Sequence, residues 1–114
     1  MVTRDSRDLL YGSVDMLVLR TLSLGSLHGY GIAAHIWQLS EGALRVEQGS
    51  LYPALERLQN SGMVSSRWGK TTTGRRARYY TITGRGEKQL GKEISAFDNL
   101  LVAISRVLGR ASEA

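Results

Sequence analysis

One segment of the sequence concentrates positive charge, and positive charge is suited to binding anions. From Arg67 to Lys92 there are eight basic residues and one acid, Glu87, so this segment sums to 8 − 1 = +7. The whole chain carries +5, which leaves 5 − 7 = −2 for the remainder. A basic segment confined in this way favours an anionic partner, with nucleic acid first and an anionic membrane surface second.

A second candidate contact region runs from Gln48 to Gly62 and predicts a short helix over residues 49–61. Leucines at positions 51, 55 and 58 recur at spacings of four and three, which places them on one apolar stripe. Ser50 near the start, Pro53 near the first turn and Gly62 as a left-handed cap all suit a helix. The other face is polar and partly aromatic, and it is either a solvated surface or a contact surface. Its residues are Ser50, Tyr52, Glu56, Arg57, Gln59 and Asn60.

The residue types of a catalytic or metal centre are scarce. The chain has no cysteine and only two histidines, His28 and His35, seven positions apart rather than at the helical i, i+4 spacing of a ligand pair. Neither has a Ser/Asp constellation nearby, and the Gly84–Gly86 run lacks the strand and Lys-Ser/Thr context of a phosphate loop. We therefore predict no enzyme, no metal and no cofactor, with His28 as a turn residue that hydrogen-bonds the backbone.

Hydrophobic periodicity gives the elements that position these residues. The predicted order is helix, helix, short strand, helix, basic hairpin, helix, with Ser13 and Thr83 as N-caps of the first and last helices. The predicted elements are helix 14–24, a tight connection 26–31, helix 30–39, strand 44–47, helix 49–61, strand 63–68, turn 69–74, strand 77–83 and helix 84–108. Two helices joined by a turn and followed by a basic hairpin predict a mainly α (α+β) winged helix-turn-helix with a long C-terminal dimerisation helix.

Length and composition favour a single domain, because 114 residues with a hydrophobic fraction of 42% suffice for one modest core. We divide it into an N-terminal arm (1–12), a DNA-binding domain (13–83), a C-terminal helix in the same compact unit (84–110) and a tail (111–114). No apolar run approaches the roughly 18 residues of a membrane span, and no signal-peptide pattern is present. These features predict a cytoplasmic protein that does not associate with a membrane.

The last helix carries a seam of heptad type, with apolar residues at alternating spacings of four and three. The predicted dimerisation residues are Leu90, Ile94, Phe97, Leu101, Ile104 and Leu108. The seam either packs on its own domain or joins a second copy of the chain, and the second interpretation is favoured because the other helices already have apolar stripes of their own.

The predicted arrangement fits double-stranded DNA. A helix enters the major groove, where exposed polar side chains reach base edges, while an Arg- and Lys-bearing hairpin follows the phosphates. Tyr52 could stack on a sugar or donate its hydroxyl to a phosphate. The alternative is a winged-helix module for protein–protein contact that does not bind DNA.

The sequence also resembles the PadR family of bacterial transcriptional regulators. The resemblance rests on the runs His28–Ile32, Gly49–Leu55 and Arg78–Thr83, with Leu58, Gly62 and Gly86, and it covers residues 13–108. The single C-terminal helix resembles the short-tailed branch of the family. The runs 46–50 and 75–77 resemble an acidobacterial group, some of whose members are associated with permease-like genes.

This resemblance implies a homodimer, joined through the last helix, that binds an operator near promoters, usually as a repressor. Two-fold symmetry then predicts an inverted-repeat operator. The predicted DNA-binding residues are Gln48, Ser50, Tyr52, Pro53, Arg57, Lys70, Arg75, Arg76 and Arg78. Some relatives bind small aromatic or drug-like effectors between the last helices through a tryptophan. Here Phe97 is the only large aromatic on the seam, and it is the candidate residue of an effector pocket together with Trp37, which is either a pocket wall or a half-buried packing residue.

Overall fold

Four helices and a three-stranded sheet form the part of the chain that the structure, a computed structural model, describes, namely residues 13–110. The elements are α1 (Val14–Ser23), β1 (Leu27–His28), α2 (Gly29–Leu39), α3 (Gln48–Asn60), β2 (Val64–Lys70), β3 (Arg76–Ile82) and α4 (Gly84–Val107). This architecture confirms the predicted mainly α winged helix-turn-helix with a long C-terminal helix. The predicted arm (1–12) and tail (111–114) lie outside the described residues.

The sheet has the order β1–β3–β2, and its neighbouring strands are antiparallel. β2 and β3 form the hairpin, here called the wing, which includes the loop 71–75. None of the helices formed by residues 13–110 is long and apolar enough to cross a membrane.

The starts of α2 and α4 are each capped by a side chain close in sequence. His28 Nδ1 accepts a hydrogen bond from the Gly31 N–H at 2.9 Å, which confirms its predicted bond to the backbone, and through this bond it caps α2. Thr83 caps α4 in the same way, accepting from the Gly86 N–H at 3.1 Å and donating to the Gly62 carbonyl at 2.7 Å. Thr83 therefore also ties the start of α4 to the end of α3.

The end of α3 is a Schellman motif, which explains the predicted glycine cap. Gly62 has φ +75°, and its N–H donates to the Gln59 carbonyl while the Met63 N–H donates to the Leu58 carbonyl. The polypeptide then turns directly into β2. This sharp reversal places the wing beside α3.

The core lies where α1 meets the other three helices and the sheet. Val18 and Leu19 of α1 are completely buried, together with Leu51 and Leu55 of α3, and fully burying a side chain of this size stabilises the fold by about 1.5–3 kcal/mol. The other buried residues of this core are Val14, Leu22, Ile32, Ile36, Val46, Ala54, Leu58, Val64, Tyr80 and Leu90. The three predicted leucines of α3 thus do form its buried stripe.

The first turn of α4 packs directly on the backbone of Met63, the residue after the Gly62 cap of α3. A Cβ at Gly86 would clash with the Met63 carbonyl oxygen and lie 2.8 Å from a side-chain carbon of Ile82, so a larger residue would push α4 away. Because the obstacle is largely backbone, it cannot be relieved by a rotamer change.

Two strand predictions are wrong. Residues 44–47 form no strand: Val46 is buried in the core and Leu44 packs partly against it, but the segment pairs with no strand of the sheet. One edge of the sheet is formed by Leu27 and His28, predicted as a connection, which pair with Tyr80 and Tyr79 as β1. Alternating polarity in 44–47 therefore reflects a loop that passes over the core.

Smaller differences concern element ends. Ser13 occupies the N-cap position of α1 but its side chain makes no capping hydrogen bond. α3 begins at Gln48, with Glu47 as N-cap, so Ser50 lies within the first turn and Pro53 in the second. The strands of the wing extend two residues closer to the tip on the β2 side than predicted, which brings Lys70 into β2.

Candidate nucleic-acid interface

A groove separates α3 from the wing and brings together the two regions that the sequence singled out. Its volume is about 840 Å³. It is lined by His28, Gly29, Tyr30, Gln48, Tyr52, Trp68, Thr71, Thr72, Thr73, Arg75, Arg76, Ala77, Arg78 and Tyr80. One wall is thus polar and aromatic, and the other carries three guanidinium groups. An open groove with this charge suits a long anionic polymer.

On the helix side, Tyr52 is the most prominent residue. Its side chain projects from the second turn of α3, and the residue is 45% exposed. A Cβ built on Gly29 would lie 2.7 Å from the Tyr52 hydroxyl oxygen and 2.9 Å from its Cε1, so the ring packs directly on the start of α2. This contact holds the phenol at the edge of the groove.

On the wing side, the strand register places the arginines on one face. Trp68 pairs with Arg78 and Lys70 pairs with Arg76, so all four side chains project from the same face of the hairpin. Nearer the body, that face carries the buried Val64 and Tyr80. The outer half of the same face, beyond the core, is exposed and basic.

Two contacts orient these guanidinium groups. Arg76 Cζ lies 4.5 Å from the ring centroid of Trp68, and Arg78 Cζ lies 5.9 Å from it, both within cation–π range. Arg78 Nε also donates to Ser66 Oγ at 2.8 Å, and Ser66 Oγ donates to Gln59 Oε1 of α3 at 3.1 Å. A hydrogen-bonded chain thus links the wing to α3.

Tyr80 sits beneath the groove, between the wing and the core. Burial raises the pKa of the Tyr80 phenol, the positive charge of Arg78 opposes this rise, and Tyr52 adds to it. Tyr80 is therefore a neutral phenol at physiological pH, so it adds no negative charge beneath the guanidinium groups.

Comparison with known proteins identifies the family. The sequence model of the transcriptional regulator PadR-like family matches residues 18–92, well over half of the chain. The chain belongs to the PadR-like family. DNA-binding transcription regulation is therefore its general activity, and the proteins that it resembles are transcriptional regulators rather than enzymes.

Solved structures of PadR-like and related regulators share this fold. A transcriptional regulator from Clostridium thermocellum superposes with a TM-score of 0.79 at 28% identity, over 87% of this chain and 96% of that one. A PadR family transcriptional regulator from Eggerthella lenta gives a TM-score of 0.75 at 25% identity, over 90% and 87% of the two chains. An uncharacterized protein of Lysinibacillus sphaericus is 25% identical over 85 residues, covering 75% of this chain and 78% of that protein.

The structure places five of the nine predicted DNA-binding residues of this PadR-like chain in the groove: Gln48, Tyr52, Arg75, Arg76 and Arg78. Ser50, Pro53 and Lys70 lie on the same elements but do not line it. Arg57 differs most, because its Nη2 donates to Asp15 Oδ1 of α1 at 2.9 Å. This ion pair links α3 to α1 at the surface, and Arg57, whose side chain is 61% exposed, does not line the groove. Its place in the contact set stays a prediction.

The sequence interpretation missed Trp68, Tyr30 and the loop threonines as groove residues. Trp68 is the most informative omission, since it contacts two of the predicted arginines. Counting outward from the loop along both strands would have placed Trp68 opposite Arg78. The hairpin register therefore contained a usable signal, whereas Tyr30 depends on how α2 packs.

The predicted dimerisation residues of this PadR-like chain divide into two groups. Leu90 is 7% exposed and packs in the core of its own domain. Beyond it, α4 extends past the body with an exposed apolar face, here called the α4 face: Ile94, Phe97, Leu100, Leu101, Ile104, Val107 and Leu108.

The two residues predicted for an effector pocket are not brought together within one chain. Trp37 lines a cavity of about 630 Å³ between α2 and the start of α3, with Tyr30 and Tyr52, but Phe97 does not contribute to it. Trp37 also packs on the following turn, since a Cβ at Gly42 would lie 3.4 Å from its Cζ2. Trp37 is thus a half-exposed residue that covers this turn.

Proposed function

We propose that this PadR-like regulator binds an inverted-repeat operator in double-stranded DNA as a homodimer and represses transcription there. The observation that carries the proposal is the groove, in which Tyr52 of α3 faces Arg75, Arg76 and Arg78 of the wing. In this arrangement α3 enters the major groove and the wing follows the adjacent backbone.

The distribution of charge supports a nucleic acid over a protein partner. The three groove arginines are exposed, and none of them forms an ion pair with a carboxylate among residues 13–110. Charges left free in this way attract phosphates, and each phosphate that they neutralise releases a counterion. A protein–protein module would not need unpaired arginines aligned beside a helix.

The α4 face supports the homodimer. Seven large apolar residues on one helix are 38–87% exposed, and soluble monomers seldom leave an apolar stripe of this length uncovered. A second copy related by a two-fold axis would cover it with the same residues. The two α3 helices would then reach successive major grooves, about one helical turn apart.

The experiment that tests the proposal is selection of bound fragments from a random duplex pool by the wild-type protein. We expect an enriched inverted repeat with half-sites about one turn apart, bound with an affinity that falls steeply as salt rises. Reporter expression from a promoter that contains the enriched site then tests repression. Failure to enrich any sequence, with no salt-dependent duplex binding, would favour the protein–protein module instead.

A further inference from the structure

We infer that Trp68 is a positioning residue for DNA recognition, which sets the direction in which Arg76 and Arg78 present their guanidinium groups. The inference rests on the proposed function and deepens it, because it assigns part of the discrimination between DNA sequences to the wing. The carrying observation is the juxtaposition of one exposed indole and two exposed arginines on the groove face of the hairpin.

The placement of Trp68 is not explained by the core. The residue is 57% exposed and lies on the outer half of β2, beyond the buried Val64 and the half-buried Ser66. Arg78 lies directly across on β3 and Arg76 diagonally, at 5.9 and 4.5 Å from the ring centroid. An exposed indole in this position therefore mainly contacts the two guanidinium groups.

Stacking on Trp68 restricts the motion of two long side chains. A cation–π contact at an exposed site favours the stacked geometry by about two- to fivefold over the free one. An arginine held in this way has given up part of its rotamer freedom before it meets DNA, which lowers the entropic penalty of binding. Stacking uses the face of the guanidinium and leaves the N–H groups at its edge as donors, of which Arg78 already uses Nε on Ser66.

A hydrogen-bonded link to α3 lets the restricted arginine side chains contribute to discrimination between DNA sequences. Arg78 Nε donates to Ser66, whose hydroxyl donates to Gln59 on α3, so Arg78 and α3 are held at one separation. A duplex whose backbone follows the major groove at that separation satisfies both elements together. A duplex with a different groove width can contact either α3 or the wing well, but not both. Discrimination of this kind, by the shape of the duplex, is shape readout.

The test compares Trp68→Leu with Trp68→Phe on two duplexes: the one that the wild type enriches from a random pool, and a scrambled duplex of the same composition. Leucine removes the aromatic ring on which the arginines stack but keeps an apolar side chain, whereas phenylalanine retains a ring for stacking. We expect Trp68→Leu to lower affinity for the enriched duplex about two- to fivefold and affinity for the scrambled duplex hardly at all. Trp68→Phe should preserve most of the wild-type ratio between the affinities for the enriched and the scrambled duplex. Equal losses on both duplexes would overturn the inference.

Coupling to the arginines separates positioning from a direct contact or a folding defect. In the Arg76→Ala, Arg78→Ala background, Trp68→Leu should cause no further loss of discrimination. The same loss in both backgrounds would show that Trp68 acts independently of the arginines, and would also overturn the inference. Thermal unfolding of each variant confirms that folded proteins are being compared.

A measurement without DNA tests the stack itself. In Trp37→Phe protein, Trp68 is the single tryptophan, because the chain has only two. Replacing Arg76 and Arg78 with alanine should then shift its fluorescence emission, whereas unchanged emission would overturn the inference. A wild type that enriches no duplex would contradict the proposed function and the inference with it. The inference alone would be contradicted if the wild type enriches a duplex but the losses of affinity caused by the Trp68 and arginine substitutions are additive.

Discussion

The phenol of Tyr52 on α3 packs directly against the α-carbon of Gly29, the first residue of α2. A methyl group at position 29 would lie 2.7 Å from the Tyr52 hydroxyl oxygen, far closer than van der Waals contact allows. Gly29 is buried and Tyr52 is half exposed, so the close approach fixes the ring on one side and leaves its hydroxyl at the groove. The start of α2 thereby controls the position of a side chain that lines the groove.

Gly29→Ala is therefore expected to weaken DNA binding while it preserves the fold. The tyrosine ring can swing into solvent to relieve the clash, so the free energy of unfolding should change by less than about 1 kcal/mol. Operator affinity should fall by about 0.5–1.5 kcal/mol, the net contribution of one displaced hydrogen bond. Chemical denaturation and a titration on operator duplex measure the two quantities.

The control for this substitution is the same change in a Tyr52→Ala background. With no ring to displace, Gly29→Ala should leave operator affinity unchanged. An equal loss in both backgrounds would mean that position 29 affects DNA binding by another route.

Tyr52→Phe tests the hydroxyl alone. The ring still packs on Gly29, so the free energy of unfolding should remain close to wild type. Operator affinity should fall by about 0.5–1.5 kcal/mol if the hydroxyl donates to a phosphate or base edge. Wild-type binding by Tyr52→Phe, combined with unfolding of Tyr52→Ala, would show that Tyr52 serves the core instead.

Local signals in the sequence predicted most of the fold. His28, Thr83 and Gly62 each define a helix end through contacts within about five residues, and such contacts follow from residue type alone. The leucine spacing of α3 likewise predicted its buried face. These features need no knowledge of distant parts of the chain.

The errors arose where a residue's role depends on a distant partner. β1 consists of two residues and exists only because Tyr79 and Tyr80 pair with it. For Arg57, a predicted DNA contact, the sequence did not show the ion pair with Asp15, 42 positions away. Periodicity placed Leu90 on the seam of α4 correctly, yet it could not show that Leu90 packs on its own domain.

The wing is expected to supply affinity that depends on charge. Replacing Arg75 and Arg76 with alanine should weaken binding to every duplex, because their phosphate contacts supply affinity that does not depend on sequence. Loss of the stack of Arg76 on Trp68 should add a smaller loss on the enriched duplex. The slope of log affinity against log salt should flatten by about 0.9 for each phosphate that the protein no longer neutralises. Titrations of operator and scrambled duplexes at several salt concentrations give the slope.

Arg67→Ala is the matched control for the wing. Arg67 lies on the opposite face of the hairpin, where its Cζ is 5.7 Å from the ring centroid of Tyr79. The substitution removes one positive charge outside the groove, so the slope should change less than it does when Arg75 or Arg76 is replaced. A slope that is unaltered by the Arg75/Arg76 double substitution would place these arginines off the DNA.

Dimerisation through the α4 face is expected to be inseparable from operator binding. A single winged helix covers one half-site with a contact area near that of an isolated module, and its affinity is correspondingly modest. Leu101 is 46% exposed at the centre of this face, so Leu101→Glu would put a carboxylate into the dimer interface. Desolvating that charge without a partner costs several kcal/mol, enough to dissociate the dimer.

Leu101→Glu protein should therefore be monomeric or aggregated and should lose operator binding, although residue 101 is far along α4 from the groove. Asn99→Glu is the control, because it adds the same charge at an exposed position two residues away, on another side of α4. Light scattering gives the mass of each variant, and titration on the selected duplex gives its affinity. Because the two half-sites are bound together only in the dimer, mass and affinity should fall together in Leu101→Glu and remain wild type in Asn99→Glu. A monodisperse wild-type monomer bound to one half-site, or a Leu101→Glu dimer with full affinity, would refute this arrangement.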